Sequence, residues 1–288
     1  MRGRFVAALT IALVLSPLPF VKVAAWKRTG ITLEHRTQNT PAGFGAWVSN
    51  TDHTYSTTAA QTHTAGNLLV VCATSISSGG SLGSVHNDAG DTFTLAGSIR
   101  SSTVGDLQNA GIWYVASTAG ATNDTTWALA ADGNLIYKVG VTVFEVSGAA
   151  ASPLDDAGGG PGSGITMSTG TLAVTAAHDF IASCGHDGGE VLAGQSGYTF
   201  TPLGATSDTK VAADEYIITT SSSDALMTNA GNGGAAVIAG ASFKEASGGG
   251  SPTLPAAIIS NIPIRCCGLD WWIDQIEKGI GLHAPRRR

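Results

Sequence analysis

The sequence predicts an all-β protein, an antiparallel β-sandwich with one short helix near its C-terminal end. Three observations carry this. Short segments rich in Val, Ile, Leu, Phe and Thr recur from about residue 44 to 245. Clusters of Gly, Asn, Asp and Ser separate them. Within that range no stretch places apolar residues at helical spacing, so strands and turns account for the pattern.

The segments fall into two kinds. TFTLA (92–96), TLAVT (171–175) and YTFTPL (198–203) alternate apolar and polar residues, the mark of a strand with one buried face. LLVVCA (68–73), IWYVA (112–116), VGVTVFEV (139–146), EYIITT (215–220) and AAVIAGASF (235–243) are almost continuously apolar, which suits central strands covered on both faces. The turns between them have the required chemistry: SSGG at 77–80, NDAGD at 87–91, STAGATND at 117–124, GGGPGSG at 158–164, DGG at 187–189 and NAGNGG at 229–234. Ten to fourteen such strands, by rough count, predict a sandwich or jelly roll. HTAGNLLVVCATSISSGG (63–80) and TAAHDFIASCGHDGGE (175–190) echo each other. Duplication would produce this, but the segments after each copy diverge, so two similar strands of one sandwich is the preferred explanation.

The ends differ from the body. Residues 1–25 read as a signal peptide. Arg2 and Arg4 precede the apolar run Phe5–Leu15, Pro17 and Pro19 follow it, and Val23-Ala24-Ala25 offers a small-residue cleavage site. Residues 26–246 form the expected sandwich domain, and 247–256 a Gly/Ser/Pro linker. In 257–288, Leu269, Trp272, Ile273, Ile276 and Ile280 fall at helical spacing, a short amphipathic tail able to dock on the sandwich or on a partner. Export therefore places the protein in a secreted or cell-surface location. Between residues 31 and 264 there are five basic residues against eighteen acidic ones. An acidic body repels phosphate, which excludes nucleic acid and anionic membranes as partners. Only 12% of residues are charged, against about a quarter in most soluble proteins.

The order AGNLLVVCA, NDAGDTFTLAG, GIWYVAST, VTVFEVSG with SPLDD after it, AAHDFIAS, SGYTF, ADEYIITT and AVIAGASFK resembles a domain of exported bacterial and phage-associated proteins. In that group the strands read GdLlv, DxxGNxY, VxEySG followed by PLD, and a closing AAF. The resemblance covers about residues 60–245, departing at Asp91, where the group often has Asn, and at Val146, where it often has Tyr. It implies a concanavalin-like or jelly-roll sandwich and no defined activity.

Candidate chemistry is sparse. Glu145 and Glu215 are glutamates within apolar strands, and a pair of carboxylates at a defined separation could cleave a glycosidic bond. Trp113, Trp127 and Tyr198 are strand aromatics that could stack on a sugar ring. Trp113 and Tyr114 are neighbours and must point to opposite faces, one toward the core and one outward. Asp88 and Asp91 lie in one tight turn and Asp155 and Asp156 in another; turn geometry explains them, and calcium is the one cofactor they suggest. His86, His178 and His186 form no metal-binding spacing, and no nucleophile elbow or phosphate loop is present. Cys72 and Cys184 lie in strand-like segments, and export permits a disulfide between them without sequence showing that they meet. The expectation is an exported non-catalytic surface protein for adhesion or carbohydrate binding, partnered by a glycan or other extracellular polymer. The alternatives are a structural component of a virion, fibre or surface layer, self-associating through its tail, and a glycan-cleaving enzyme using Glu145 and Glu215.

Overall fold

The computed structural model describes residues 30–38, 54–56, 60–77, 81–98, 100–102, 107–130, 136–162, 166–187, 192–203, 211–229 and 236–247. The signal peptide, nearly all of the linker and the helical tail predicted from the sequence lie outside these residues. The described chain is built of strands and loops, with no helix. In the first half the strands are β1 (Thr32–Gln38), β2 (Thr54–Ser56), β3 (Gln61–His63), β4 (Leu68–Ser77), β5 (Leu82–Asn87), β6 (Thr94–Leu95), β7 (Arg100–Ser102), β8 (Leu107–Val115), β9 (Ala121–Asp124), β10 (Thr126–Ala130) and β11 (Ile136–Ser147). The second half holds β12 (Ala149–Pro161), β13 (Thr166–Leu172), β14 (Asp179–Asp187), β15 (Leu192–Ala193), β16 (Thr199–Leu203), β17 (Val211–Thr219), β18 (Ser223–Asn229) and β19 (Ala236–Glu245).

The two halves have the same strand order. One large sheet runs β1-β11-β4-β8-β6, with β7 also on β8; the other runs β12-β19-β14-β17-β16. Each half starts on an edge strand, and its last strand returns to lie beside that edge. Each half also carries a small sheet, β2-β10-β5 in the first and β13-β18-β15 in the second, again in matching order. All pairings in both large sheets are antiparallel. The echo between 63–80 and 175–190 is therefore a topological repeat. The similar segments end in corresponding strands, β4 and β14, of two equivalent halves. This corrects the preferred explanation of two similar strands in a single unrepeated sandwich. The diverging segments obscured the repeat because loops tolerate change that strand order does not.

The sheets stack in layers. Between the large sheets lies the main core: Leu68, Val70, Cys72, Ile112, Phe144 and Val146 face Phe180, Ala182, Cys184, Val237, Ala241 and Phe243. On the far side of the first large sheet, Val71, Ala73, Trp113, Val141 and Val143 pack on Leu82 and Val85 of β5. On the far side of the second, Ala213, Ala236 and Ile238 pack on Met167, Leu192 and Met227 of its small sheet. This is why β4 and β14 are buried at every position and read as unbroken apolar runs. Aromatic contacts cross the main core in both directions: Tyr114 of β8 meets Phe243 of β19 edge-on at 5.4 Å, and Tyr216 of β17 meets Phe144 of β11 at 5.6 Å.

Cys72 and Cys184 form a disulfide joining β4 to β14 at the centre of this core, with their Cα atoms 5.9 Å apart. The bond links corresponding strands of the two halves. A second tie is polar. Arg36 of β1 grips Asp214 of β17 with two hydrogen bonds, Nε to Oδ1 at 2.9 Å and Nη2 to Oδ2, and Thr142 Oγ1 donates to the same Oδ2 at 2.8 Å. Asp214 is wholly buried, so these donors replace its lost water.

The chain passes from one half to the other through Gly148 alone, between β11 and β12. Its φ is +75°, a left-handed conformation, and a Cβ there would collide with the carbonyl oxygen of Gly30. Gly148→Ala is expected to cost on the order of 1–3 kcal/mol, read as a lower urea midpoint at unchanged slope. A wild-type midpoint would show that the crossover adapts freely.

Candidate functional site

Polar residues concentrate at one end of the first half, where the β3–β9 ribbon caps the large sheet. The central group is Glu145, on the face of β11 turned away from the main core and only 1% exposed. Its pairing with Leu69 puts it beside the turn that leads into β4. That turn supplies the donors: Thr64 N–H to Oε1 at 2.8 Å and Asn67 Nδ2 to Oε1 at 2.6 Å. The other oxygen faces His63 Nδ1 at 3.3 Å, and on the far side of the ring Nε2 faces Asp124 Oδ2 at 3.4 Å. His63 and Asp124 are also buried. The imidazole lies between the two acids, with one ring nitrogen facing an oxygen of each.

The network continues outward. Asp124 accepts from Asn87 Nδ2 at 2.8 Å and from the Asp88 N–H at 2.9 Å. Asn87 and Asp91 exchange two bonds across their turn, and Thr118 Oγ1 and the Ala119 N–H complete the partners of Asp91. Asp88 accepts from the Thr125 N–H and hydroxyl. Burial by itself would raise the Glu145 carboxyl. The bonds from Thr64, Asn67 and His63, with the charge of His63, overcome that and hold it below the ordinary glutamate value. At Asp124 burial wins over the same histidine and raises the carboxyl. Every carboxylate here has donors of its own, and the cluster ties β3, β5, β9 and β11 together.

The sequence-predicted residues do not converge. Glu145 and Glu215 lie on the outer faces of opposite large sheets, each pointing away from the other. Packed sheets are about 10 Å apart before side chains that diverge are added, so this pair cannot flank one glycosidic bond at about 5–10 Å. Trp113 is 3% exposed, packed in the layer over the first large sheet, so it offers no stacking face. Its neighbour Tyr114 turns into the main core rather than outward, because β8 is covered on both sides. The Trp127 side chain lies outside the described set. Tyr198 is half-buried and its hydroxyl donates to Ser223 Oγ at 2.9 Å. Asp88 and Asp91 are held in the network above. Asp155 accepts from the Thr175 N–H and hydroxyl, both at 2.7 Å, and Asp156 from the Ala157 and Ala173 N–H groups. The two pairs belong to different halves, and among the described residues no group of three or more His, Cys, Asp or Glu side chains is placed to hold a metal ion. His63 and Asn67 were missed from the sequence. The signal was Glu145 itself, since a carboxylate in an apolar strand demands donors from the neighbouring strand's approach.

Glu215 is wholly buried between the second large sheet and its small sheet. It accepts from the Gln195 N–H at 3.1 Å and Ser183 Oγ at 3.2 Å. Burial outweighs these two bonds, and the negative charges of Asp214 and Asp224 add to it, so the carboxyl is pushed up to about 7. With the folded value raised above the ordinary 4.5, the native state binds a proton that the unfolded chain has released. Stability therefore falls as pH rises from about 4.5 to about 7, by an amount on the order of 3 kcal/mol. Glu215→Gln is expected to flatten that limb in urea titrations; an unchanged pH slope would place its origin elsewhere.

Beside the Glu145 turn, Thr32, Glu34, Thr64, Ala65, Gly66, Asn67, Ser147 and Gly148 line an open depression of ≈ 620 Å³. Its walls come from the edge strand β1, the turn before β4 and the crossover. No protein-family model, curated protein or solved structure matches the chain.

Proposed function

We propose that the chain is an exported, non-catalytic surface or binding protein, made of two jelly-roll halves that share one core. The observation that carries this reading is the buried Cys72–Cys184 disulfide, because such bonds persist in oxidising, extracytoplasmic compartments. Two further features support it. The buried acids have hydrogen-bonding or charged neighbours and the two strand glutamates are separated, so the polar groups serve as ties within the fold. The matched strand orders of the two halves, each pairing a large antiparallel sheet with a small sheet, support the reading of two jelly-roll halves.

The ligand class that fits is a polyhydroxylated extracellular polymer, met in the depression beside β1. Its lining mixes polar and apolar surface, has no aromatic ring and carries Thr32, Glu34, Thr64 and Asn67, suited to hydrogen-bonding sugar hydroxyls rather than stacking on rings. Export is tested by fractionating expressing cells and labelling free thiols. The mature protein is expected outside the cytoplasm with Cys72 and Cys184 unlabelled until reduced, and a cytoplasmic protein with both thiols free would sink the reading. Binding is tested on a glycan array with the wild type and Glu34→Ala. A class of glycan bound by the first and lost by the second is expected, and silence across the array removes the carbohydrate assignment while leaving export intact.

A further inference from the structure

The matched strand orders align the two halves residue by residue. Cys72 and Cys184 set β4 against β14. Counted from them, Val146 of β11, which faces Leu68, corresponds to Phe243 of β19, which faces Phe180. On the edge strands Leu33 pairs with Val146 and Leu154 with Phe243. The register then slips in both, between Leu33 and His35 in β1 and between Leu154 and Asp156 in β12. Each slip holds one extra residue, and in each half it is an acid: Glu34 in the first and Asp155 in the second. By the same count Ser147 corresponds to Lys244. Their contacts correspond as well. Ser147 Oγ donates to Glu34 Oε1, and Lys244 Nζ lies 3.8 Å from Asp155 Oδ1. In the second half the bulged acid is therefore met by an ammonium, and its side chain is only 7% exposed. In the first half a short serine stands where the lysine does, Glu34 stays exposed, and both residues line the open depression.

We infer that the depression takes a primary ammonium group of its ligand beside Glu34, in the place that corresponds to Lys244 Nζ beside Asp155, so that the polymer bound is one of amino sugars. This rests on the reading of the depression as a glycan site and narrows it. An ammonium brings three donors and no acceptor, and the depression offers acceptors: the Glu34 carboxylate and the hydroxyl oxygens of Thr32, Thr64 and Ser147. A donor that carries charge binds a carboxylate more strongly than a sugar hydroxyl does. The long-range field agrees. With five basic residues against eighteen acidic ones between 31 and 264, the body draws a cationic polymer toward it and repels sulfated or carboxylated ones.

The test is isothermal titration calorimetry of the full chain with oligomers of glucosamine and, separately, of N-acetylglucosamine, in mildly acid buffer that keeps the free amine protonated. Binding of the first and not of the second is expected, weakening as salt is added. Glu34→Gln should weaken it by at least about tenfold, the loss of a charged hydrogen-bond partner. Ser147→Lys should abolish it, because the chain then supplies the ammonium itself, as the second half does. Equal binding of the acetylated oligomer, or undiminished binding by Ser147→Lys, would overturn the ammonium inference and leave a glycan site in place. So would failure of the glucosamine oligomers to bind when the glycan array yields another sugar, whereas silence of both overturns this inference together with the glycan reading. Binding of oligolysine but not of glucosamine oligomers would overturn the amino-sugar assignment in favour of a peptide.

Discussion

Reduction of Cys72–Cys184 is expected to lower the folding free energy by about 4 kcal/mol, a large share of what a domain possesses. The bond closes a segment with a sequence separation of 112 residues, and closing so long a loop removes much of the unfolded chain's freedom. Both cysteines are completely buried at the centre of the main core, where thiols are tolerated as small apolar groups. Reduction therefore adds little strain to the native state, and the loss should come almost wholly from the unfolded ensemble. The measurement compares urea unfolding of oxidised and reduced protein, which avoids the cavity that a Cys→Ala pair would leave. Because both sulfurs are buried, reductant alone should act slowly on the folded protein and quickly once denaturant opens the core. Equal midpoints for the two redox forms would mean that the halves hold together without the bond.

The residues explain which parts of this architecture could be read in advance. Strands covered on both faces leave an unbroken apolar run, and LLVVCA, DFIASC and AAVIAGASF were legible for that reason. Their facing partners were not legible, because an apolar residue says that it is buried and not what buries it. Trp113 shows the difference. Its neighbour Tyr114 had to point the other way, but a second covering layer buried one and half-buried the other, which no alternation rule reveals. The polar residues were harder still. Glu145 stood out as a lone acid in an apolar strand, yet its partners His63, Thr64 and Asn67 come from a ribbon and a turn far away in sequence. Glu215 drew attention for the same reason, and the structure puts it on the opposite side of the molecule. Chain distance and pairing register decide such meetings, and neither is written in composition. The repeat was half legible: the strands bearing Cys72 and Cys184 preserved it, while the loops between strands did not.

Loss of Glu145 is the second large expected effect. Glu145→Ala leaves the Thr64 N–H, the Asn67 amide and one face of His63 without their acceptor in a site that excludes water. Each buried donor left without an acceptor costs about 1–3 kcal/mol, so a total loss of about 3–5 kcal/mol is expected. Glu145→Gln keeps an oxygen for Thr64 and Asn67 but removes the carboxylate facing His63 Nδ1, leaving Asp124 on the other side of the ring, so a smaller loss of about 1–2 kcal/mol is expected. The pH dependence separates this from simple packing damage. The folded Glu145 value lies below the ordinary 4.5, so its stabilisation is fully present above that pH and is lost as pH falls through the folded value. The gap between wild type and Glu145→Gln should thus be widest near neutrality and narrow as pH falls through the folded value. Asp124 does not counterfeit this trend. Its value is raised, so its own contribution weakens as pH climbs above the ordinary 3.8. A gap of constant size across the whole range would show that the carboxylate charge at position 145 does not hold the β3–β9 ribbon, and that its volume alone matters.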